Sequence, residues 1–134
     1  MALPIGTRIV IGAFTVSGVT HLVRPAVFAP LIPRQLGDPG PWVLGSGVAE
    51  LACAAGLAAR APWAPAVTTA TLAVIWIGNL QMALDLQRSR RPTWQKAAAW
   101  ARLPIQVPLM KAAWESPRGP FPPGRGAGVS AASA

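Results

Sequence analysis

Glu50 and Arg102 are the residues of this chain best placed to do chemistry. One is an acid and the other a base, and each sits in the middle of a long apolar stretch. Placing a single charge at the centre of a bilayer costs roughly 2.5–3.5 kcal/mol on insertion scales. An acid and a base at that depth are expected to pair, or to serve a site. Helical spacing collects further polar groups around them. Ser46, Glu50 and Cys53 fall at i, i+4 and i+7 and share a face. Asn79 and Met82 share a second face, with Trp76 one turn before them. Arg102 and Gln106 share a third, and Ser17 and His21 a fourth. If these stripes face inward, Glu50, Asn79, Arg102, Gln106, Ser46 and His21 form one polar patch.

The patch has two compatible readings. As structural glue it would hold helices together, at about 0.6 kcal/mol per interhelical polar contact, with a Glu50–Arg102 ion pair fixing register. As a site it would take a small polar-headed lipophile such as a quinone, with Glu50, Asn79, Arg102 and Gln106 on the head group. Other chemistries find less support. His21 is the only histidine and has no second ligand near it, which makes a poor metal site. Its position beside Arg24 and Pro25 suits the membrane interface. No Ser-His-Asp set can be drawn, because both aspartates fall in expected loops. Gly45-Ser46-Gly47 is too short for a phosphate loop and lacks its lysine. Cys53 is the only cysteine, so it forms neither an internal disulfide nor a C-x-x-C pair. No catalytic residue is assigned, and the chain is expected to catalyse nothing on its own.

The elements that must position these residues are apolar. Of 134 residues, 52% are hydrophobic and 12% charged, whereas charged residues make up about a quarter of a soluble domain. Mean hydropathy is +0.41. The net charge of +8 does not read as a nucleic-acid footprint, since the basic residues lie between apolar runs and are not interleaved with stacking aromatics. Four segments of near-spanning length can be drawn: Ile5 to Val23, Pro41 to Arg60, Trp63 to Leu84 and Trp94 to Trp114. Arg8 followed by Ile9–Val23 reads as a retained first helix and not a cleaved signal. The third segment is free of charge between Arg60 and Asp85. The second and fourth carry Glu50 and Arg102, so their insertion depends on neighbours.

Boundary residues agree with this division. Pro41, Pro62 and Pro65 stand at segment starts, where a missing amide donor does no harm. Trp42, Trp63, Trp94 and Trp114 fall near segment ends, as interfacial anchors do. Pro104 and Pro108 lie inside the fourth segment and should free backbone carbonyls near Leu103 and Ile105, as a tolerated bend or as a cavity wall. Gly45, Gly47 and Gly56 would allow close helix approach. The loop Arg24–Gly40 is too apolar for a free linker and reads as an interfacial or re-entrant element broken by Pro30 and Pro33. From Ser116 on, the chain is Pro-, Gly- and Ala-rich and reads as disordered. The expected organisation is thus all-α: a four-helix transmembrane domain over residues 1–115, an interfacial first loop, and a disordered tail over 116–134. Basic residues split six against five between the two sides, which leaves orientation open.

Several blocks resemble the DoxX-like family of small bacterial integral membrane proteins. They are SGVTHLVRPAVFAPLIP (Ser17–Pro33), GSGVAELACAAGL (Gly45–Leu57), GNLQMA (Gly78–Ala83) and ARLPIQVPL (Ala101–Leu109). In that family Glu50 would match the acid of the glycine-rich second helix. Asn79 and Met82 would match an N-x-x-M, and Arg102, Leu103, Pro104 and Gln106 an R-L-P-x-Q. The resemblance implies a multi-pass protein of the bacterial inner (plasma) membrane. It further implies an accessory subunit of a redox-linked, quinone-associated membrane complex, with a redox membrane or periplasmic protein as partner beside the lipid bilayer. Without a cysteine pair, a direct thiol–disulfide relay is not expected. Two other functions compete. In a small proton-coupled transporter Glu50 would have to titrate, against an Arg102 that would hold it ionised. In a purely structural membrane partner Glu50 would be dispensable.

Overall fold

A computed structural model describes residues 2–119. Among these the chain is all-helical and has no strand. Four α-helices run in order: α1 (Ile5–Val23), α2 (Pro39–Ala58), α3 (Ala64–Gln87) and α4 (Thr93–Trp114), with three single turns of 3-10 helix between α1 and α2. The first segment was legible to the residue. The second starts and ends two residues earlier than expected, because Asp38 caps it: the carboxylate Oδ1 accepts from the Gly40 N–H at 3.0 Å, and Pro39 takes the first helical position. The third runs past Leu84 to Gln87, which takes Asp85 into the helix. Its carboxylate accepts from Gln81 one turn back, at 3.1 Å, so Asp85 is not the loop residue expected from the sequence.

The helices alternate in direction. α1 packs chiefly on α2 and α3 chiefly on α4, with lesser α2–α3 and α1–α4 contacts that close the ring. α2 and α4 therefore lie diagonally opposed. The centre combines small residues and hydroxyls, among them Thr7, Gly18, Gly47, Ala54, Thr68 and Ala113, with a packed cluster of Val10, Phe14, Leu57 and Leu72. Large apolar residues face out, with Val16 69%, Val74 70% and Ile105 62% exposed. An outer surface this rich in large apolar residues suits a protein whose solvent is lipid. Three helices, α1, α2 and α3, are long and apolar enough to cross a membrane. α4 has a similar length but carries Lys96, Arg102 and Lys111, and is not among them.

Close approach of α1 and α2 rests on two glycines. A Cβ on Gly47 would stand 2.7 Å from the His21 Cβ and 3.0 Å from the Gly18 carbonyl oxygen. One on Gly18 would stand 2.9 Å from the Gly47 carbonyl oxygen. Gly56 is pressed against Trp63 in the same way, but Gly45 faces open space. Gly45 therefore does not serve the helix approach expected of it: it is offset from the Gly47 face by two residues, about 200° around the helix.

α4 stays helical through Pro104 and Pro108. The Leu103 carbonyl accepts a hydrogen bond at 3.1 Å from the Trp76 indole of α3, so an α3 side chain meets the helix beside its prolines. The first loop is built of the turns Pro25–Val27, Ala29–Leu31 and Arg34–Leu36. It closes at Gly37, whose φ of +80° suits a residue without a Cβ. The Trp42 indole donates to the Leu36 carbonyl at 3.1 Å and holds the loop on α2.

Of the expected tail, residues 116–119 are packed. The Ser116 hydroxyl is buried and lies 2.9 Å from the Thr7 hydroxyl of α1, and the Gly119 N–H donates to the Arg60 carbonyl. Residues 120–134 lie outside the described residues. Thr7→Val removes one partner of the buried Thr7–Ser116 contact while keeping the shape. It is expected to lower stability by about 1 kcal/mol, read as a shift in the unfolding midpoint in mild detergent. An unchanged midpoint would show that Ser116 is satisfied by its second partner, the Ala112 carbonyl.

Candidate functional site

The sequence places an acid on α2, and the packing decides what it meets. α2 faces α1 along its length, so the partner of Glu50 comes from α1. His21 Nδ1 lies 3.4 Å from the Glu50 Oε2. The same nitrogen is 2.8 Å from the Ser17 carbonyl oxygen. A carbonyl only accepts, so Nδ1 carries a proton and donates to it. The imidazole is fixed from the other side by Phe28 of the first loop, stacked with ring centroids 3.6 Å apart and planes 10° from parallel. A loop residue, a helix end and a buried acid thus form one unit. His21 is buried and not simply at an interface beside Arg24, because the loop folds back over it.

The expected Glu50–Arg102 ion pair is absent. Arg102 stands on α4, diagonal to α2, and its guanidinium has no hydrogen-bond or ion-pair partner among the described residues. Both residues nevertheless line one open cleft of about 250 Å³, formed by residues of all four helices. Its polar wall consists of Ser17, Glu50, Asn79, Arg102 and Gln106, and its apolar wall includes Phe14, Leu72, Ile75 and Leu109. Asn79 Nδ2 donates to Gln106 Oε1 at 3.0 Å, and Gln106 Nε2 donates to the Leu72 carbonyl at 2.7 Å. These bonds tie α3 to α4 and hold both amides in place. Glu50 is only 4% exposed, and its Oε2 has no full hydrogen bond. The Oε2 is turned toward His21, and Arg102 is exposed, with no acceptor for its guanidinium among the described residues. A carbonyl or hydroxyl oxygen on a ligand would accept from Arg102, a hydroxyl would also donate to the acid, and the apolar wall would take the ligand's body.

Four of the residues expected in the patch, Glu50, Asn79, Arg102 and Gln106, do line this cavity, and His21 joins through Glu50. Ser46 does not. It is exposed, because the buried line of α2 runs through Val43, Gly47, Glu50 and Ala54, and Ser46 sits one residue off it. Met82 also leaves the group and lines a different groove. Cys53 is buried, with Sγ 3.7 Å from the Thr71 hydroxyl, as a small apolar side chain would be. Ser17 was seen only as a neighbour of His21 and proves to line the cavity itself. The spacing Phe14, Ser17, His21 along one face of α1 carried that signal.

Comparison with families of known sequences matches residues 10–116 to a domain of unknown function, DUF8561. The match covers most of the chain, and the chain belongs to that family. No DoxX family match is found, so the resemblance to the DoxX-like family is withdrawn. The blocks that carried it are short, rich in Gly, Ala and Leu, and of a kind that packed membrane helices share for physical reasons. Comparison with curated proteins and with solved structures found no match.

Proposed function

We propose that this member of the DUF8561 family is a four-helix transmembrane protein that binds the head group of a small quinone-class lipophile in the cavity between its helices. α4 would be the fourth span. Its pairing along α3 and the placing of Arg102 at a polar cavity support that reading, since an intramembrane charge is tolerated where it faces a site. The first loop would lie at the bilayer surface. Helical spans suit a plasma (inner) membrane, because outer-membrane proteins cross as barrels. One observation carries the proposal: the acid Glu50 and the Arg102 guanidinium, which has no acceptor among the described residues, line one cleft without pairing with each other. A quinone-class occupant would set the chain among redox-linked membrane enzymes as an accessory subunit, and a partner is best sought there.

The test is native mass spectrometry on protein released from its own membranes in mild detergent. A bound lipophile of defined mass is expected, lost in Glu50→Gln and in Arg102→Met while both variants remain helical. Protein that carries only bulk lipid, or a lipophile kept by both variants, would reject the cavity as its site.

A second reading gains from the structure. The objection to a proton-coupled transporter was that Arg102 would hold Glu50 ionised, and the two do not pair. Proton-driven efflux in cells expressing the chain, abolished by Glu50→Gln, would favour transport over ligand holding.

A further inference from the structure

The larger cavity of this protein is elsewhere. A groove of about 1000 Å³ lies where the first loop meets the C-terminal end of α3 and the start of α4. Its two sides differ in chemistry. Leu31 and Ile32 of the loop, with Met82 and Leu86 of α3, give an apolar floor. Arg34 of the loop and Arg91 of the α3–α4 turn line it as well, and both are exposed. Neither guanidinium has an ion-pair or hydrogen-bond partner among the described residues. The groove also carries one acid, Asp85, which accepts from the neutral Gln81 amide at 3.1 Å, and the two arginines outnumber it. If α1, α2 and α3 span the bilayer, this end of the helices is at its surface, and Trp94, 70% exposed, stands at the same level as an interfacial aromatic would.

We propose that this groove binds one anionic phospholipid of the surrounding bilayer, its phosphate held between Arg34 and Arg91 and the first methylenes of its chains against Leu31, Ile32, Met82 and Leu86. Two unpaired guanidiniums match a phosphate in charge and in planar donor geometry. The apolar floor matches the acyl chains that a lipid carries below its head group, and it has no counterpart in a free anion. Basic pockets between helices at a membrane surface hold anionic head groups by this combination. The loop that carries Arg34 also carries Phe28, which is stacked on His21, so a lipid here would brace the segment that closes over Glu50.

The test uses the full chain in mild detergent with phosphatidylglycerol and phosphatidylcholine of identical acyl chains, supplied in equal amounts and counted as bound adducts by native mass spectrometry. Wild type is expected to retain phosphatidylglycerol about tenfold over phosphatidylcholine. Arg34→Gln with Arg91→Gln should bring the two lipids to parity. Arg88→Gln with Arg90→Gln, which removes the same charge from positions next to Arg91 but outside the groove, should keep the preference. Glu50→Gln should keep it too, which separates this site from the cavity between the helices. Equal retention by wild type, or equal loss in the Arg88/Arg90 control, would overturn the site. Displacement of the lipid by glycerol 3-phosphate alone would overturn its assignment to a lipid and leave a soluble phosphate as the occupant. Both target side chains are exposed, and circular dichroism checks that the double variant stays folded.

Discussion

Gly47→Leu is expected to destabilise this protein by about 3 kcal/mol, the upper end of what overpacking costs. The reason is geometric. The Cβ alone would fall 2.7 Å from the His21 Cβ, a fixed atom on the facing helix, and 3.0 Å from the Gly18 backbone oxygen. Neither neighbour can rotate away, so α1 and α2 must separate. The separation also pulls His21 from Glu50, which sits one turn along from Gly47. The control is close at hand. Gly45→Leu adds the same side chain to the same helix two residues earlier, where nothing lies within 4 Å, and it should change stability by less than about 0.5 kcal/mol. Unfolding of both variants and wild type in a common detergent reads the difference. If the two leucines cost the same, the α1–α2 contact at Gly18 and Gly47 is not the packing that holds these helices.

Removing His21 should cost nearly as much, and removing its partner as well should recover much of the loss. His21→Leu deletes the Nδ1–H that donates to the Ser17 carbonyl and faces Glu50. The carboxyl group then stays buried with only the Ser17 hydroxyl beside it on α1. Breaking one side of a buried pair typically costs about 3–5 kcal/mol, whereas replacing both sides by apolar groups of similar size is often near neutral. Because His21 is also stacked on Phe28, the expected loss is about 3 kcal/mol for His21→Leu and less than half of that for His21→Leu with Glu50→Leu. The readout is the unfolding midpoint of the single and double variants. A double variant no more stable than His21→Leu would mean that the two residues are not coupled.

The two outcomes also separate the roles of the polar residues. Gln106 and Asn79 bond to each other and to the α3 backbone, so they bind helix to helix. Glu50 and Arg102 bond across no helix pair in that way. Glu50 instead faces His21 across the α1–α2 contact, and Arg102 has no partner among the described residues.

The helices themselves were legible in the chain alone. Runs of apolar residues near 20 long, bounded by proline and tryptophan, are sufficient to place four helices, since helix length and backbone satisfaction are local matters. Glu50, Asn79, Arg102 and Gln106 were legible too, because polar groups in apolar helices are costly enough to stand out one at a time. Their partners were not. Whether Glu50 meets Arg102 or His21 depends on which helix lies beside α2, and no spacing along the chain encodes that. The choice falls to the α1–α2 contact, where Gly18 and Gly47 let two backbones touch. The same holds for Ser46, one residue off the buried line and therefore outside the site. It holds also for the groove, where Arg34 and Arg91 are far apart in sequence and line one groove because the first loop meets the end of α3. Periodicity fixes which residues share a face, and packing alone fixes what that face meets.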